Sequence, residues 1–169
     1  MGLTKDMKDE LVTFIYAFAE KYQLENDPDF KEISSAYMPL YDKLYDRLTE
    51  RHQRKQLEEI FSSFGKIYSM ELMAAVLNGM AFYMDNRCIY TGKADDLMDL
   101  AIAEIIIKNK EYANLCVQTD KLQNEFISDL NDEQRSIYDI CRSEYIRFQD
   151  YSVGNTFRLT GEILAQLVM

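Results

Sequence analysis

One pattern of apolar residues occurs twice in this chain, 82 residues apart. The first copy consists of Phe30, Ile33, Leu40, Leu44, Leu48, Leu77 and Gly79, and the second of Tyr112, Leu115, Leu122, Phe126, Leu130, Leu159 and Gly161. Steps of three and four residues dominate each copy, and they define one face of an α-helix. A chain with this pattern has to pack helices against helices, because each apolar face must be buried.

Two interpretations of the repeat stay open. Aligned without gaps, residues 27–86 and 109–168 share four identities, at positions 40, 48, 77 and 79. In the middle of these aligned ranges, shifting the alignment by one residue instead pairs Ile60 with Cys141, Phe64 with Tyr145 and Ile67 with Phe148. The halves are therefore either a duplicated unit or two ordinary helical hairpins that share a hydrophobic phase.

The composition favours helices throughout. The chain has 169 residues, with two prolines and six glycines, which leaves few turn residues for a β architecture. We predict an all-α bundle of five to seven helices, with two pseudo-repeated helical hairpins as one possible arrangement. The first helical unit covers residues 1–86 and the second covers 95–169. A linker at about 86–94 joins them, and both units contribute to one shared core.

Local signals predict where several helices begin and end. The first helix runs from about Lys5, and its buried stripe is expected to contain Leu11, Phe14, Ile15, Phe18 and Tyr22. Asp27 is the expected N-cap of the next helix, with Pro28 in its first position. Pro39 should interrupt that helix, and Thr49 should cap a long helix that follows.

The net charge is strongly negative and evenly shared. The formal charge is −10; residues 1–85 contain 10 Lys/Arg and 15 Asp/Glu, and residues 86–169 contain 9 and 14. Because nucleic-acid binding relies on cationic side chains, direct binding to DNA or RNA is not expected. A DNA-binding helix-turn-helix with its turn at residues 64–66 is not expected either. Its recognition helix, residues 69–78, would lack the Arg and Lys side chains that contact DNA. The charge suits a protein partner with a basic cleft.

The residues that carry catalytic or metal chemistry are few and scattered. The three cysteines, Cys88, Cys116 and Cys141, form no CxxC motif, and His52 is the only histidine. We therefore predict no enzyme activity, no catalytic residue, no metal site and no cofactor. Free cysteines, no signal-peptide pattern and no run of 18 apolar residues predict a cytoplasmic protein without a membrane association.

A ladder of tyrosines is the best candidate for a partner-binding surface. Tyr37, Tyr41 and Tyr45 follow one another at four-residue steps, and Asp42 and Asp46 flank them. The ladder is either buried between two helices or exposed as a protein-binding face. Further acidic residues assigned to partner binding are Asp95, Asp96 and Asp99.

A methionine stripe offers a similar choice between core and binding groove. It contains Met70, Met73, Met80 and Met84, with Leu77 between them. Methionine fills irregular cores, but its flexibility also suits adaptable binding surfaces.

The second copy resembles a known family. The residues that carry the resemblance are 130–134 (Leu-Asn-Asp-Glu-Gln), Tyr138, 157–159 (Phe-Arg-Leu) and Gly161. Within the first run, Asn131 and Gln134 form a pair of the capping-box type. Residues 109–168 are similar to a family of short helical proteins of Firmicutes and their mobile elements. The resemblance implies an all-helical fold and no established activity, catalytic residue or cofactor.

These observations favour binding over catalysis. The leading hypothesis is a non-enzymatic protein-interaction or regulatory protein, with a homodimer as one form of the interaction. A sharper version is a mobile-element or phage inhibitor whose acidic surface mimics nucleic acid in a basic cleft. The alternative is a helical small-ligand-binding protein or enzyme with a pocket inside the bundle.

Overall fold

The structure, a computed structural model, describes residues 5–86 and 108–168. The described residues form six helices and contain no strand, which confirms the all-α prediction of five to seven helices. The helices are α1 (Lys5–Asn26), α2 (Pro28–Ala36), α3 (Met38–Arg47), α4 (Arg51–Asn86), α5 (Lys110–Ser128) and α6 (Asp132–Val168). The predicted linker, apart from residue 86, lies outside the described residues, as do Asp95, Asp96 and Asp99.

The helix boundaries follow the local signals closely. Asp27 caps α2, and its Oδ1 accepts a hydrogen bond of 3.0 Å from the Phe30 N–H. The helix is interrupted at Tyr37, so that Pro39 lies in the first turn of α3. The Thr49 prediction is wrong by one residue. Because α4 begins at Arg51, the residue before it, and not Thr49, occupies the N-cap position.

The long helices α4 and α6 run parallel and form the centre of the bundle. The rings of Phe64 and Tyr145 stack with centroids 5.3 Å apart, and further along Gly79 lies against Thr160. Both pairs join residues that are 81 positions apart, so the two helices keep one register along much of their length. A shared cluster of buried side chains contains Leu44, Leu48, Leu57, Ile60, Phe64, Phe126, Leu130, Ile137, Tyr138 and Tyr145.

The shorter helices pack on the central pair in a crossed arrangement. The second-half helix α5 lies on α4, and the first-half helices α2 and α3 lie on α6. Each short helix runs antiparallel to the long helix that it contacts, since Tyr112 bonds to Glu71 at one end of α5 and Asp129 bonds to Gln53 at the other. Helix α1 contacts both long helices near their C-terminal ends.

Reciprocal hydrogen bonds show that this arrangement has a pseudo-two-fold axis. The Gln53 side-chain amide donates to the carbonyl oxygen of Asp129 at 2.8 Å, and the Gln134 amide donates to the carbonyl oxygen of Arg47 at 2.8 Å. Positions 53 and 134 are counterparts in the repeat, as are positions 47 and 129. Each long helix thus binds the C-terminal end of the other half's short helix in the same way.

Two charged pairs next to the Gln53 and Gln134 side-chain amides show the same two-fold arrangement. Arg47 pairs with Glu133, and His52 Nε2 lies 3.7 Å from Asp129 Oδ2. The two pairs occupy equivalent positions with the acidic and basic partners exchanged. All four side chains are about half exposed or more, so these pairs contribute little to stability.

A third reciprocal pair lies deeper between α4 and α6. The hydroxyl oxygens of Tyr68 and Ser152 are 2.6 Å apart, and the Gln149 amide donates to Glu71 Oε2. At a spacing of 81 residues, Gln149 is the counterpart of Tyr68, and Ser152 is the counterpart of Glu71. The two hydrogen bonds therefore join equivalent positions, although the residue types differ.

The structure corrects the register read from the sequence. A spacing of 82 relates α2 and α3 to α5, but a spacing of 81 relates α4 to α6, because Leu130 and Gln134 are separated by one residue fewer than Leu48 and Gln53. Leu77 is 45% exposed whereas Leu159 is 3% exposed, so these two identical residues are not equivalent. Gly79 likewise meets Thr160 rather than Gly161.

The predicted buried stripe of α1 is right for Ile15 and for the partly buried Leu11, but wrong for its three aromatic residues. The residues that face the bundle are Val12, Ile15, Ala19 and Gln23. Phe14, Phe18 and Tyr22 are 54%, 41% and 41% exposed. Apolar residues cover more than half of the circumference of this helix, so periodicity alone could not decide which part is buried.

The methionine stripe is divided between core and surface. Met80 is buried against α1, Met70 is half-buried, and Met73 and Leu77 are exposed. The side chain of Met84 lies outside the described part of the chain. Neither the core nor the groove prediction therefore holds for the whole stripe.

Among residues 5–86 and 108–168, one helix has the length and composition of a membrane span. It is residues Arg51–Ala81 of α4, whose buried face contributes to the shared cluster with α3, α5 and α6. The central helix of a soluble bundle passes the same test, so this feature is weak support for a membrane span.

Candidate functional site

The pseudo-two-fold axis provides an internal comparison for finding functional residues. Both halves must satisfy the same packing and hydrogen-bonding requirements around α4 and α6. A surface feature that both halves share can be explained by the fold. A surface feature that only one half has is not required by the fold, so it is a better candidate for binding.

Tyr37, the first residue of the predicted ladder, is partly buried and packs against the core. Its ring makes an edge contact with Tyr145 at 5.1 Å and stacks on Phe61 at 6.3 Å. Its carbonyl oxygen accepts a hydrogen bond from the Cys141 thiol at 3.6 Å. Burial raises the pKa of the Tyr37 hydroxyl and raises the pKa of the Cys141 thiol to about 12. The inert thiol and the packed ring both indicate a structural role.

Tyr41 and Tyr45 lie at the edge of the same aromatic cluster and are half-buried. The Tyr41 ring makes an edge contact with Phe61 at 4.9 Å, and the Tyr45 ring stacks on Tyr41 at 6.1 Å. Tyr45 donates a hydrogen bond of 3.0 Å to Glu58 Oε1, and the guanidinium carbon of Arg54 lies 5.2 Å from its ring centroid. The hydrogen bond to Glu58 is the main reason why the Tyr45 pKa is raised.

Asp42 and Asp46 are exposed on α3 next to these rings. We call the surface formed by Tyr41, Asp42, Tyr45 and Asp46 the α3 face. Two half-buried rings held by their neighbours, with carboxylates in water beside them, provide rigid apolar contact area with an acidic rim.

The other half has no equivalent of the α3 face. The corresponding residues of α5 are Gln123, Asn124, Ile127 and Ser128. They include no aromatic ring and no acidic group, and Gln123 is buried where it accepts a hydrogen bond of 2.9 Å from the Tyr138 hydroxyl. The α3 face is therefore specific to the first half and is not required by the repeated packing.

Two surface grooves, in contrast, are equivalent. The first, of about 750 Å³, is lined by Asp29, Glu32, Ile33, Ser143, Ile146, Arg147, Asp150 and Tyr151. The second, of about 860 Å³, is lined by Ser62, Gly65, Lys66, Ser69, Met70, Glu111, Asn114, Leu115 and Gln118. Every lining residue of the first has its repeat counterpart in the second. The grooves follow from the way a short helix meets a long one, so their presence alone does not indicate a ligand.

Two partly buried carboxylates in the bundle also have structural explanations. Asp27 caps α2 and accepts hydrogen bonds from the Tyr151 hydroxyl at 3.1 and 3.0 Å and from the Asn155 amide at 2.9 Å. Glu71 accepts one from the Tyr112 hydroxyl at 2.5 Å and thereby connects α4 with α5. Burial, followed by the Glu71 contact, raises the pKa of Tyr112. These carboxylates are occupied by protein donors and are poorly placed for acid–base chemistry.

Within residues 5–86 and 108–168, no group of three or more His, Cys, Asp or Glu side chains could hold a metal ion. Cys141 is buried and Cys116 is half-buried, and burial is the main reason why both thiols have raised pKa values. His52, on the first turn of α4, is largely exposed.

The sequence prediction missed a second aromatic surface, on α1. The rings of Phe14 and Phe18 stack at 6.1 Å, and those of Phe18 and Tyr22 stack at 5.8 Å. We call these three residues the α1 ladder. The sequence offers a second apolar series on the same helix, Val12, Ile15 and Ala19, but only its tertiary contacts show that this series, and not the aromatic one, faces the bundle.

Of the predicted partner-binding residues, the structure brings four together in the α3 face and places Tyr37 beneath them. Asp95, Asp96 and Asp99 lie outside the described residues. Comparisons with protein-family models, with curated proteins and with solved structures gave no match.

Proposed function

We propose that this protein is a non-enzymatic, cytoplasmic interaction protein that binds a basic protein surface through the α3 face. The observation that carries the proposal is the one-sidedness of this face. Its rings and carboxylates have no equivalent on α5, although the two halves share their packing and their capping hydrogen bonds.

The geometry of the α3 face suits binding in two further ways. Contacts with Phe61, Glu58 and Arg54 hold the Tyr41 and Tyr45 rings, so little side-chain entropy is lost when a partner covers them. The net charge of −10 favours encounter with a basic partner and repels nucleic acid.

A more specific form of the proposal is an inhibitor carried by a mobile element or phage. In this form, carboxylates such as Asp42 and Asp46 take the place of phosphates in the basic cleft of a nucleic-acid-binding protein. The negative charge and the family resemblance of residues 109–168 support it.

The matched test uses the repeat as its control. The doubly substituted variant Asp42→Asn/Asp46→Asn removes two negative charges from the α3 face, and Asn124→Lys/Ser128→Lys adds two positive charges at the equivalent α5 positions, so the net charge changes by the same amount in both. All four side chains are exposed, so both variants should keep their stability. Partners cross-linked in the native host would be identified, purified and measured for affinity at several salt concentrations.

We expect the α3 variant to lose the partner and the α5 variant to retain most of its affinity. Binding should weaken steeply with salt and be competed by DNA if the phosphate-mimic form is correct. A partner that binds both variants equally well would contradict the proposal. Binding that is insensitive to salt would contradict the phosphate-mimic form.

A second candidate function is a small-ligand-binding protein or enzyme that uses the groove between α4 and α5. Its volume of about 860 Å³ lies in the range of ligand pockets. The charged residues on its walls are Lys66 and Glu111. The equivalent groove in the other half has the same form, which makes this candidate weaker than the α3 face.

A further inference from the structure

The α1 ladder is the largest aromatic feature on the surface that the described chain leaves uncovered. Its rings lie on the side of α1 adjacent to the buried series Val12, Ile15 and Ala19, so the bundle does not cover them. At a spacing of 82, the sequence positions that correspond to Phe14, Phe18 and Tyr22 hold Asp96, Leu100 and Glu104. The repeat therefore gives no structural reason for three aromatic residues at these positions.

We propose that the α1 ladder is the interface of a homodimer, in which α1 packs antiparallel against α1 of a second copy. The crossing point lies between Phe14 and Phe18. Each Phe14 ring then packs on the Phe18 ring of the other copy, so the two-fold axis relates two identical contacts. This interface is separate from the α3 face and does not depend on the function proposed for it.

The charges next to the ladder are complementary in this arrangement. Glu10 and Lys21 are exposed near opposite ends of the ladder, and Lys21 Nζ also lies 3.8 Å from Glu25 Oε1 on its own helix, in an exposed pair that contributes little. In an antiparallel pair that crosses between Phe14 and Phe18, the Glu10 carboxylate of one copy is level with Lys21 and Tyr22 of the other. A parallel pair would instead place Glu10 beside Glu10 and Lys21 beside Lys21. The charge pattern therefore favours the antiparallel over the parallel arrangement, and a second copy fits the ladder because every copy carries both charges at the matching positions.

The exposed area predicts the strength of the dimer. The three rings leave roughly 300 Å² exposed per copy, taking about 200 Å² for each aromatic residue. The ring contacts of two copies then amount to roughly 600 Å², below the area of about 1,200 Å² that stable interfaces bury. The dimer is therefore weak, and because each copy is strongly acidic, salt should strengthen it by screening the repulsion.

Sedimentation velocity of the full-length chain tests the proposal over about 1 to 300 µM, the range expected for such a weak association. We expect a concentration-dependent monomer–dimer equilibrium that shifts towards the dimer as salt increases. Phe18→Lys should weaken it by about tenfold or more, because it places two cations at the crossing point. Asn124→Lys, at an exposed position of α5, is the matched control, because it also adds one positive charge, and it should dimerise as the natural chain does. A thermal melt establishes that each variant is folded.

A charge exchange tests the orientation. Glu10→Lys alone and Lys21→Glu alone should each weaken the dimer by about threefold, because each places like charges opposite one another. The double variant Glu10→Lys/Lys21→Glu should restore it. A chain that remains monomeric over the whole range, a dimer that is insensitive to Phe18→Lys, or a charge exchange that does not restore dimerisation would overturn the proposal. So would a monomer that binds vesicles of phosphatidylcholine and phosphatidylserine through the ladder.

Discussion

At the scale of single residues, the closest approach of the two central helices depends on one glycine. A Cβ atom on Gly79 would lie 2.9 Å from Thr160 Cβ and 3.0 Å from the Phe157 carbonyl oxygen. Both distances are shorter than ordinary van der Waals contacts, and one of the two atoms belongs to the backbone. Gly65, on the same helix, has nothing within 4 Å of the corresponding position.

Substituting these two glycines should change stability in opposite directions. Gly65→Ala should raise the free energy of unfolding by about 0.5–1 kcal/mol, because alanine is the better helix former. Gly79→Ala gains the same helix propensity, but its methyl group must push α6 away, at a cost of about 1–3 kcal/mol. We therefore expect the free energy of unfolding of this variant to fall by about 1–2 kcal/mol. Urea denaturation measures both. A Gly79→Ala variant as stable as Gly65→Ala would contradict the close approach.

At the scale of helices, the caps show how one motif has diverged between the halves. Asp27 and Asn109 are counterparts and both act as N-caps. Among the described residues, Asn109 accepts hydrogen bonds from the first turn of its own helix alone, at 3.0 Å from the Glu111 N–H and 3.3 Å from the Tyr112 N–H. Asp27 additionally accepts hydrogen bonds from Tyr151 and Asn155 on α6, so it links two helices as well as capping one.

The two caps should therefore differ in their contribution to stability. Asn109→Ala should cost about 1 kcal/mol, as an exposed cap does. Asp27→Ala removes the cap and leaves the α6 donors without their acceptor, so we expect a loss of about 2–4 kcal/mol. Thermal or urea unfolding of both variants measures the difference. Removal of the Tyr151 hydroxyl by Tyr151→Phe should reproduce part of the Asp27 effect, and equal losses for the two caps would contradict the role of α6.

Local signals predicted the helices well because they depend on neighbours in sequence. The Asp27 cap, the break before Pro39 and the Asn131–Gln134 capping box all involve residues within three or four positions, and all are present. The exposed face of α1 could not be predicted, because it depends on contacts with residues such as Val76 and Leu164, which are distant in sequence.

The candidate site shows the same limit. The four-residue spacing identified Tyr37, Tyr41 and Tyr45 as one face of a helix. Their different environments depend on Phe61, Tyr145 and Phe148, which come from two other helices. The sequence could therefore not show that the partly buried Tyr37 contacts three aromatic rings of α4 and α6, whereas Tyr41 and Tyr45 lie at the edge of the cluster.

At the scale of the whole molecule, the halves form one structure around a parallel helix pair. The crossed packing places each short helix on the other half's long helix, so neither half is complete without the other. The pseudo-two-fold axis accounts for the capping amides, the paired grooves and the deeper polar pairs. The α3 face has no equivalent on α5, and the aromatic residues of the α1 ladder are not repeated in the sequence, so we propose binding roles for both.

The central claim, that α4 and α6 pair in parallel with a spacing of 81 residues, can be tested by one NMR measurement. A NOESY spectrum of the isotopically labelled protein should contain a cross-peak between the Gly79 α-protons and the Thr160 γ2-methyl group. The contact exists because the position of a Gly79 Cβ atom is 3.1 Å from that methyl carbon. Absence of this cross-peak in an otherwise assigned spectrum, with α-proton contacts between Gly79 and Gly161 in its place, would contradict the register and the symmetry derived from it.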